Sequence, residues 1–246
     1  MPIDFWKGTG GVPGDFSYGT IHLSAVIILI LITFVMCLAG AKMSKASQRK
    51  VIVTAAVISI AFEIFWRIIF WMNGEKLVDL YPFYPCNLAG ILVPLIALSK
   101  NKILKELFYV FAFVGGVITF VYPQGIFTNE YLSFGILKSI LQHTAIIFIP
   151  VFEYATGHFK PKLKYVWLSI IGLFIHLFNS EYVPKLLGKT GAYDYIFLRS
   201  GLPFVIDGIP QVFILGTLAV IVMIALYMML DTGGSRRLFK RRRRRK

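Results

Sequence analysis

The run from residue 20 to residue 41 contains no Lys, Arg, Asp or Glu. A stretch of that length and apolarity matches a bilayer's hydrocarbon core, which a helix of roughly 20 apolar residues spans. Inside lipid each backbone N–H and C=O must be paired within its own segment, so the run is expected to be helical. The pattern returns six more times. It predicts an all-α membrane protein, a bundle of seven transmembrane helices over 20–41, 51–72, 87–99, 103–122, 134–155, 165–183 and 209–230. The third span is short, and residues 81–85 are expected to complete its crossing as non-helical backbone. With 57% hydrophobic residues in a chain of 246, little is left for a separate soluble domain.

The connections carry the orientation. Lys42, Lys45, Arg49 and Lys50 follow the first span, Lys100, Lys102 and Lys105 the third, and Lys160, Lys162 and Lys164 the fifth. The other side holds Lys7, Lys76 and Lys138, with Lys185, Lys189 and Arg199 spread along a longer loop. Basic residues favour the cytoplasmic side. The expected topology therefore has the N-terminus outside and the C-terminus inside, in a multi-pass protein of the cell membrane. Residues 1–19 form an extracytoplasmic segment, 20–230 the seven-helix domain and 231–246 a basic cytoplasmic tail. The start is polar, Gly-rich and aromatic, which does not resemble a cleaved signal peptide. Nine of the last eleven residues are Lys or Arg, and they supply much of the net charge of +14. Such a tail is drawn to anionic inner-leaflet lipids by about 1 kcal/mol per basic residue. That partner fits better than nucleic acid. The longest connection, 184–208, is punctuated by Gly and Pro, and is expected to lie on or dip into the outer interface over any cavity of the bundle.

Ionisable groups within spans are costly, about 2.5–3.5 kcal/mol each on insertion scales, so each needs a partner or a task. The second span carries Glu63 and Arg67, which share a face at i,i+4 and can pair. The fifth carries Gln142 and His143, and the sixth His176 and Asn179. Cys86 and Asn87 open the third. Counting ~1.5 Å per residue from the helix ends sets these groups ~7–14 Å below the outer boundary. Four helices thus contribute polar residues to one outer-half layer, while Glu153 and His158 read as interface residues at the inner boundary.

Each residue has a plain reading and a sharper one. Cys86 is either a quiet buried thiol or a nucleophile activated by a histidine and a helix N-terminus. His143 is either an interhelical hydrogen-bonding group or the base for that thiol. Glu63 and Arg67 form a structural ion pair, or Arg67 holds a lipid phosphate or carboxylate. His176 and Asn179 join helices, or orient the base or an oxyanion. Cys86, His143, His176 and Glu63 have no spacing diagnostic of a metal site. No cofactor is expected. The two cysteines, Cys37 and Cys86, give no disulfide framework. No internal repeat or inverted pair of broken helices appears, which weighs against a transporter.

Tyr84-Pro85-Cys86-Asn87-Leu88, then Pro94-Leu95-Ile96-Ala97-Leu98 and Lys100-Asn101-Lys102, resemble the Cys-containing helix of the YwaF-like bacterial integral membrane proteins. These are related to eukaryotic transmembrane protein 164. Gly115-Gly116, Gln142-His143 and Tyr193-Asp194-Tyr195 before Pro203 match further stations, and the resemblance spans most of 20–225. It implies a lipid acyltransferase with a cysteine nucleophile at Cys86 and a histidine partner at His143, acting on membrane phospholipids through a thioester. Tyr84 stands where the family has a histidine. The residues on their own leave a second reading open, a non-enzymatic lipid- or small-molecule-binding protein, transporter or receptor.

Overall fold

A computed structural model of the chain describes residues 4–8, 14–123, 125–189, 195 and 211–231. Among them the helices run in the order α1 (Thr20–Lys42), α2 (Lys45–Met72), α3 (Pro85–Ser99), α4 (Lys102–Val121), α5 (Phe134–Ala155), α6 (Val166–Glu181), a single turn α7 (Val183–Leu186) and α8 (Gln211–Leu230). α1, α2, α4, α5, α8 and the stretch Leu163–Leu186 around α6 are long and apolar enough to cross a membrane. With the shorter α3 they make the seven-helix bundle expected from the apolar runs. Most of the connection 184–208 lies outside the described residues.

α3 has 15 residues, which gives about 22 Å of rise against a hydrocarbon core of about 30 Å. The remaining path is covered by a 3-10 turn at Leu77–Leu80 and by non-helical backbone at 81–84. Pro85 enters at the first helical turn, where its missing N–H has no intrahelical partner to lose. α2 begins at Lys45, well before the apolar run, because the Ser44 side chain accepts the N–H of Ser47 and caps the helix. Hydropathy is blind to such a start.

At the other end of α3, Lys100 turns left-handed at φ 58° and stops the helix. The last carbonyls of a helix lack intrahelical donors. Arg49 of α2 supplies them, Nη1 to Ala97 O at 2.6 Å and Nη2 to Leu98 O at 2.8 Å. A residue counted among the loop charges is therefore a clamp between two helices. Lys105 and Glu153 are likewise buried as an ion pair between α4 and α5. Each neutralises the other where neither alone could be desolvated.

α3 packs against α2, α4 and α5 around Ile52, Ala56, Val93, Ala97, Tyr109 and Phe152. α1 lies outside this group and exposes Ile27, Leu31 and Phe34, the surface expected of a lipid-facing helix. α8 is tied on by Tyr227, whose hydroxyl donates to Glu106 Oε2 at 2.8 Å and meets Ser169 Oγ at 2.9 Å. The antiparallel run of helices leaves two polar ends. One gathers the C-terminus of α2 and the N-termini of α3 and α5. The other gathers the starts of α2, α4 and α6.

Candidate functional site

The first of these ends is built on a buried carboxylate. Glu63 is 5% exposed. Its Oε2 pairs with Arg67 Nη1 one turn along α2, and its Oε1 faces Lys138 Nζ of α5 at 3.4 Å. Arg67 also donates from Nε to Leu80 O at 3.2 Å, fastening the 3-10 turn. Lys138, 5% exposed, donates to Asn87 Oδ1 at 2.9 Å and to Gln142 Oε1, and its ammonium sits 4.5 Å from the centre of the Trp66 ring. All three ammonium hydrogens thus find acceptors, with an aromatic face alongside. Lys138 is the residue missed by reading the sequence, where it counted as a loop charge. Its signal was present: with Gln142 it makes an i,i+4 pair on one face of α5.

The chain of contacts ends at Cys86. Because Gln142 Oε1 accepts from Lys138, its Nε2 is turned toward α3 and donates to Cys86 O. Gly90 leaves the room for it. A Cβ at Gly90 would lie 2.7 Å from Gln142 Cγ and 2.8 Å from Nε2. Tyr84 gives the first turn of α3 no side-chain cap.

His143 is buried one residue beyond Gln142, and its hydrogen bonds stay within α5. Its Nδ1 lies 2.7 Å from Ser139 O and 3.3 Å from Ser139 Oγ, while Nε2 has no hydrogen-bond partner. A carbonyl only accepts, so Nδ1 carries the proton and Nε2 keeps a bare lone pair. The edge of Phe120 packs beside the ring. Among the described residues no hydrogen bond joins His143 to Cys86.

Two expected members lie apart from the cluster. Asn179 serves the turn before α3: Nδ2 donates to Pro82 O at 2.7 Å and to Phe83 O at 3.2 Å, and Oδ1 accepts from Tyr81 Oη at 2.9 Å. It holds the approach to Cys86 without touching the charged groups. His176 lies between Phe108 and Phe111 of α4 with neither ring nitrogen hydrogen-bonded. Beside the turn before α3, Tyr195 stacks on Phe83 and meets Tyr84 edge-on, and Lys189 pairs with Asp79. No group of His, Cys, Asp and Glu among the described residues is arranged to hold a metal ion.

The site thus joins Glu63, Arg67, Asn87 and Gln142 through Lys138 and fixes the backbone of Cys86, with His143 alongside. Comparison with curated proteins and with solved structures returns no match. The model of the TMEM164 family matches residues 17–230, which take in every spanning helix and the whole polar cluster. The chain belongs to the TMEM164 family, and it is a multi-pass membrane protein.

Proposed function

We propose that this protein is a lipid acyltransferase or acyl hydrolase that carries the acyl group as a thioester on Cys86, in the outer leaflet of the cell membrane. The observation that carries the reading is the tautomer of His143. A buried imidazole with Nδ1–H held by a backbone carbonyl and Nε2 bare is prepared to accept one proton. Cys86 Sγ attacks the ester carbonyl of a phospholipid and its proton passes to His143 Nε2. The ester C–O bond then breaks, and the proton leaves with the alkoxide as a hydroxyl. A second lipid hydroxyl, or water, gives its proton to the same nitrogen and attacks the thioester, and Cys86 is regenerated as a thiol. The first-turn amides of α3 are donors for the oxyanion, and the partly exposed Arg67 supplies positive charge for a headgroup phosphate. The excess of Lys and Arg at the far end of the bundle supports the outward placement of this one.

Incubation with a phospholipid carrying an alkyne-tagged acyl chain is expected to label the protein through a hydroxylamine-sensitive bond. Cys86→Ala is expected to abolish that label, and equal labelling of the variant would end the nucleophile reading. His143→Gln is expected to slow labelling by about 10²–10⁴-fold with folding intact. The lack of a hydrogen bond between His143 and Cys86 favours a second reading, a lipid-binding bundle without chemistry. On that reading neither variant changes the amount of phospholipid that copurifies, and wild type acquires no thioester.

A further inference from the structure

At the end of the bundle away from Cys86, the start of α4, the loop after α5 and the start of α6 line an open cavity of about 290 Å³. That is room for roughly ten waters, and for a phosphorylated headgroup in their place. The exposed lysines Lys102, Lys160 and Lys162 line it above the buried Phe159 and Leu168.

The state of those lysines sets them apart. Lys105, Lys138 and Lys189 each meet a carboxylate. No ion pair or hydrogen bond engages the ammonium of Lys102, Lys160 or Lys162 among the described residues. The carboxylate in the wall, Glu106, attracts Lys162 at a distance, but its oxygens are already hydrogen-bonded. Its Oε1 accepts the backbone N–H of Lys162 at 3.2 Å, and its Oε2 accepts from Tyr227 Oη. The first amides of α4 are capped by Asn101 Oδ1 at 2.9 and 3.2 Å, so the cavity's positive charge is that of its side chains. Basic residues scattered over a cytoplasmic face are ordinary. Three lysines without an ion pair, lining one concave site with an apolar floor, suit an anion attached to an apolar group.

We propose that this cavity binds the phosphate of an anionic ligand, held by Lys102, Lys160 and Lys162, with the Phe159–Leu168 wall taking the adjoining apolar part. The inference is independent of the chemistry at Cys86. The phosphate belongs either to a lipid headgroup or to a soluble molecule.

The test uses the full chain in neutral detergent and follows its thermal unfolding midpoint. It is titrated separately with short-chain phosphatidylglycerol and with sodium pyrophosphate, against sodium chloride at equal ionic strength. A rise with phosphatidylglycerol alone is expected if the source is a headgroup, and a rise with pyrophosphate as well if it is soluble. Lys160→Gln/Lys162→Gln is expected to weaken that binding roughly 10–30-fold. Lys42→Gln/Lys50→Gln removes the same charge from exposed positions outside the cavity and is expected to leave binding within about twofold. No rise with either titrant overturns the proposal. So does equal weakening in both double variants, the behaviour of diffuse surface attraction.

Discussion

Glu63→Leu is expected to destabilise the protein by roughly 3–5 kcal/mol, the usual cost of stranding a buried charge. Two cations lean on this one carboxylate, Arg67 through Oε2 and Lys138 through Oε1. Arg67 keeps backbone acceptors at Glu63 O and Leu80 O. Lys138 keeps only the neutral amides of Asn87 and Gln142 and the Trp66 ring. In detergent the unfolding midpoint should fall by about 10 °C. Glu63→Gln/Lys138→Met removes both buried charges, so it should recover much of the loss, because the penalty belongs to the unpaired ion and not to the absent pair. A Glu63→Leu protein that melts like wild type would mean that water reaches Lys138 and that the cluster is not closed. The functional consequence follows the same contacts. Once Lys138 moves, Gln142 is free to rotate its amide, and Cys86 O loses its donor. Labelling of the thiol by a maleimide should change in rate in Glu63→Leu and stay changed in the double variant, because Lys138→Met also removes the donor to Gln142 Oε1.

The spans and the pair Glu63–Arg67 were legible from sequence because apolar length and i,i+4 spacing are local properties. What could not be read was which charges near helix ends turn inward. Lys138, Arg49 and Lys105 all entered the orientation count as loop residues, yet each reaches a partner on a neighbouring helix. Their long stems let the charged group sit away from the level of its own backbone, and composition does not reveal in which direction. The shared depth of Glu63, Arg67, Cys86, His143, His176 and Asn179 was likewise only half the information. His176 and Asn179 occupy one face of α6, but that face is long enough to meet two environments. His176 meets the rings of α4, and one turn later Asn179 has reached the carbonyls of Pro82 and Phe83. The departure at Tyr84 also has a physical setting: the side chain is exposed and packs against Tyr195.

Gly172→Ala is expected to unseat α6. The added Cβ would stand 2.0 Å from Leu107 O and 3.0 Å from Leu107 C, where a carbon normally keeps about 3.3 Å from a carbonyl oxygen. The obstacle is backbone in the second turn of α4, so no side chain can swing aside, and the two helices must separate by about 1 Å or more. Overpacking of a core costs 1–3 kcal/mol when side chains can adjust. Here the cost should reach about 3 kcal/mol or exceed it. Separation also breaks Ser169 Oγ to Glu106 O, now 2.6 Å, a hydrogen bond that holds the same crossing. Further along α6 the movement reaches Asn179 and Ser180, whose bonds to Pro82 O and Phe83 O fix the turn that presents Cys86. Gly172→Ala should therefore lower both the unfolding midpoint and thioester formation, although the residue touches nothing in the polar cluster. Gly115→Ala on α4 is the matched control. Its Cβ meets nothing within 4 Å, and Ala is favoured over Gly in a helix by about 1 kcal/mol, so this variant should be neutral or more stable. Equal behaviour of the two alanines would show that α4 and α6 do not approach as closely as Gly172 allows, and that the turn before Cys86 is held by something other than α6.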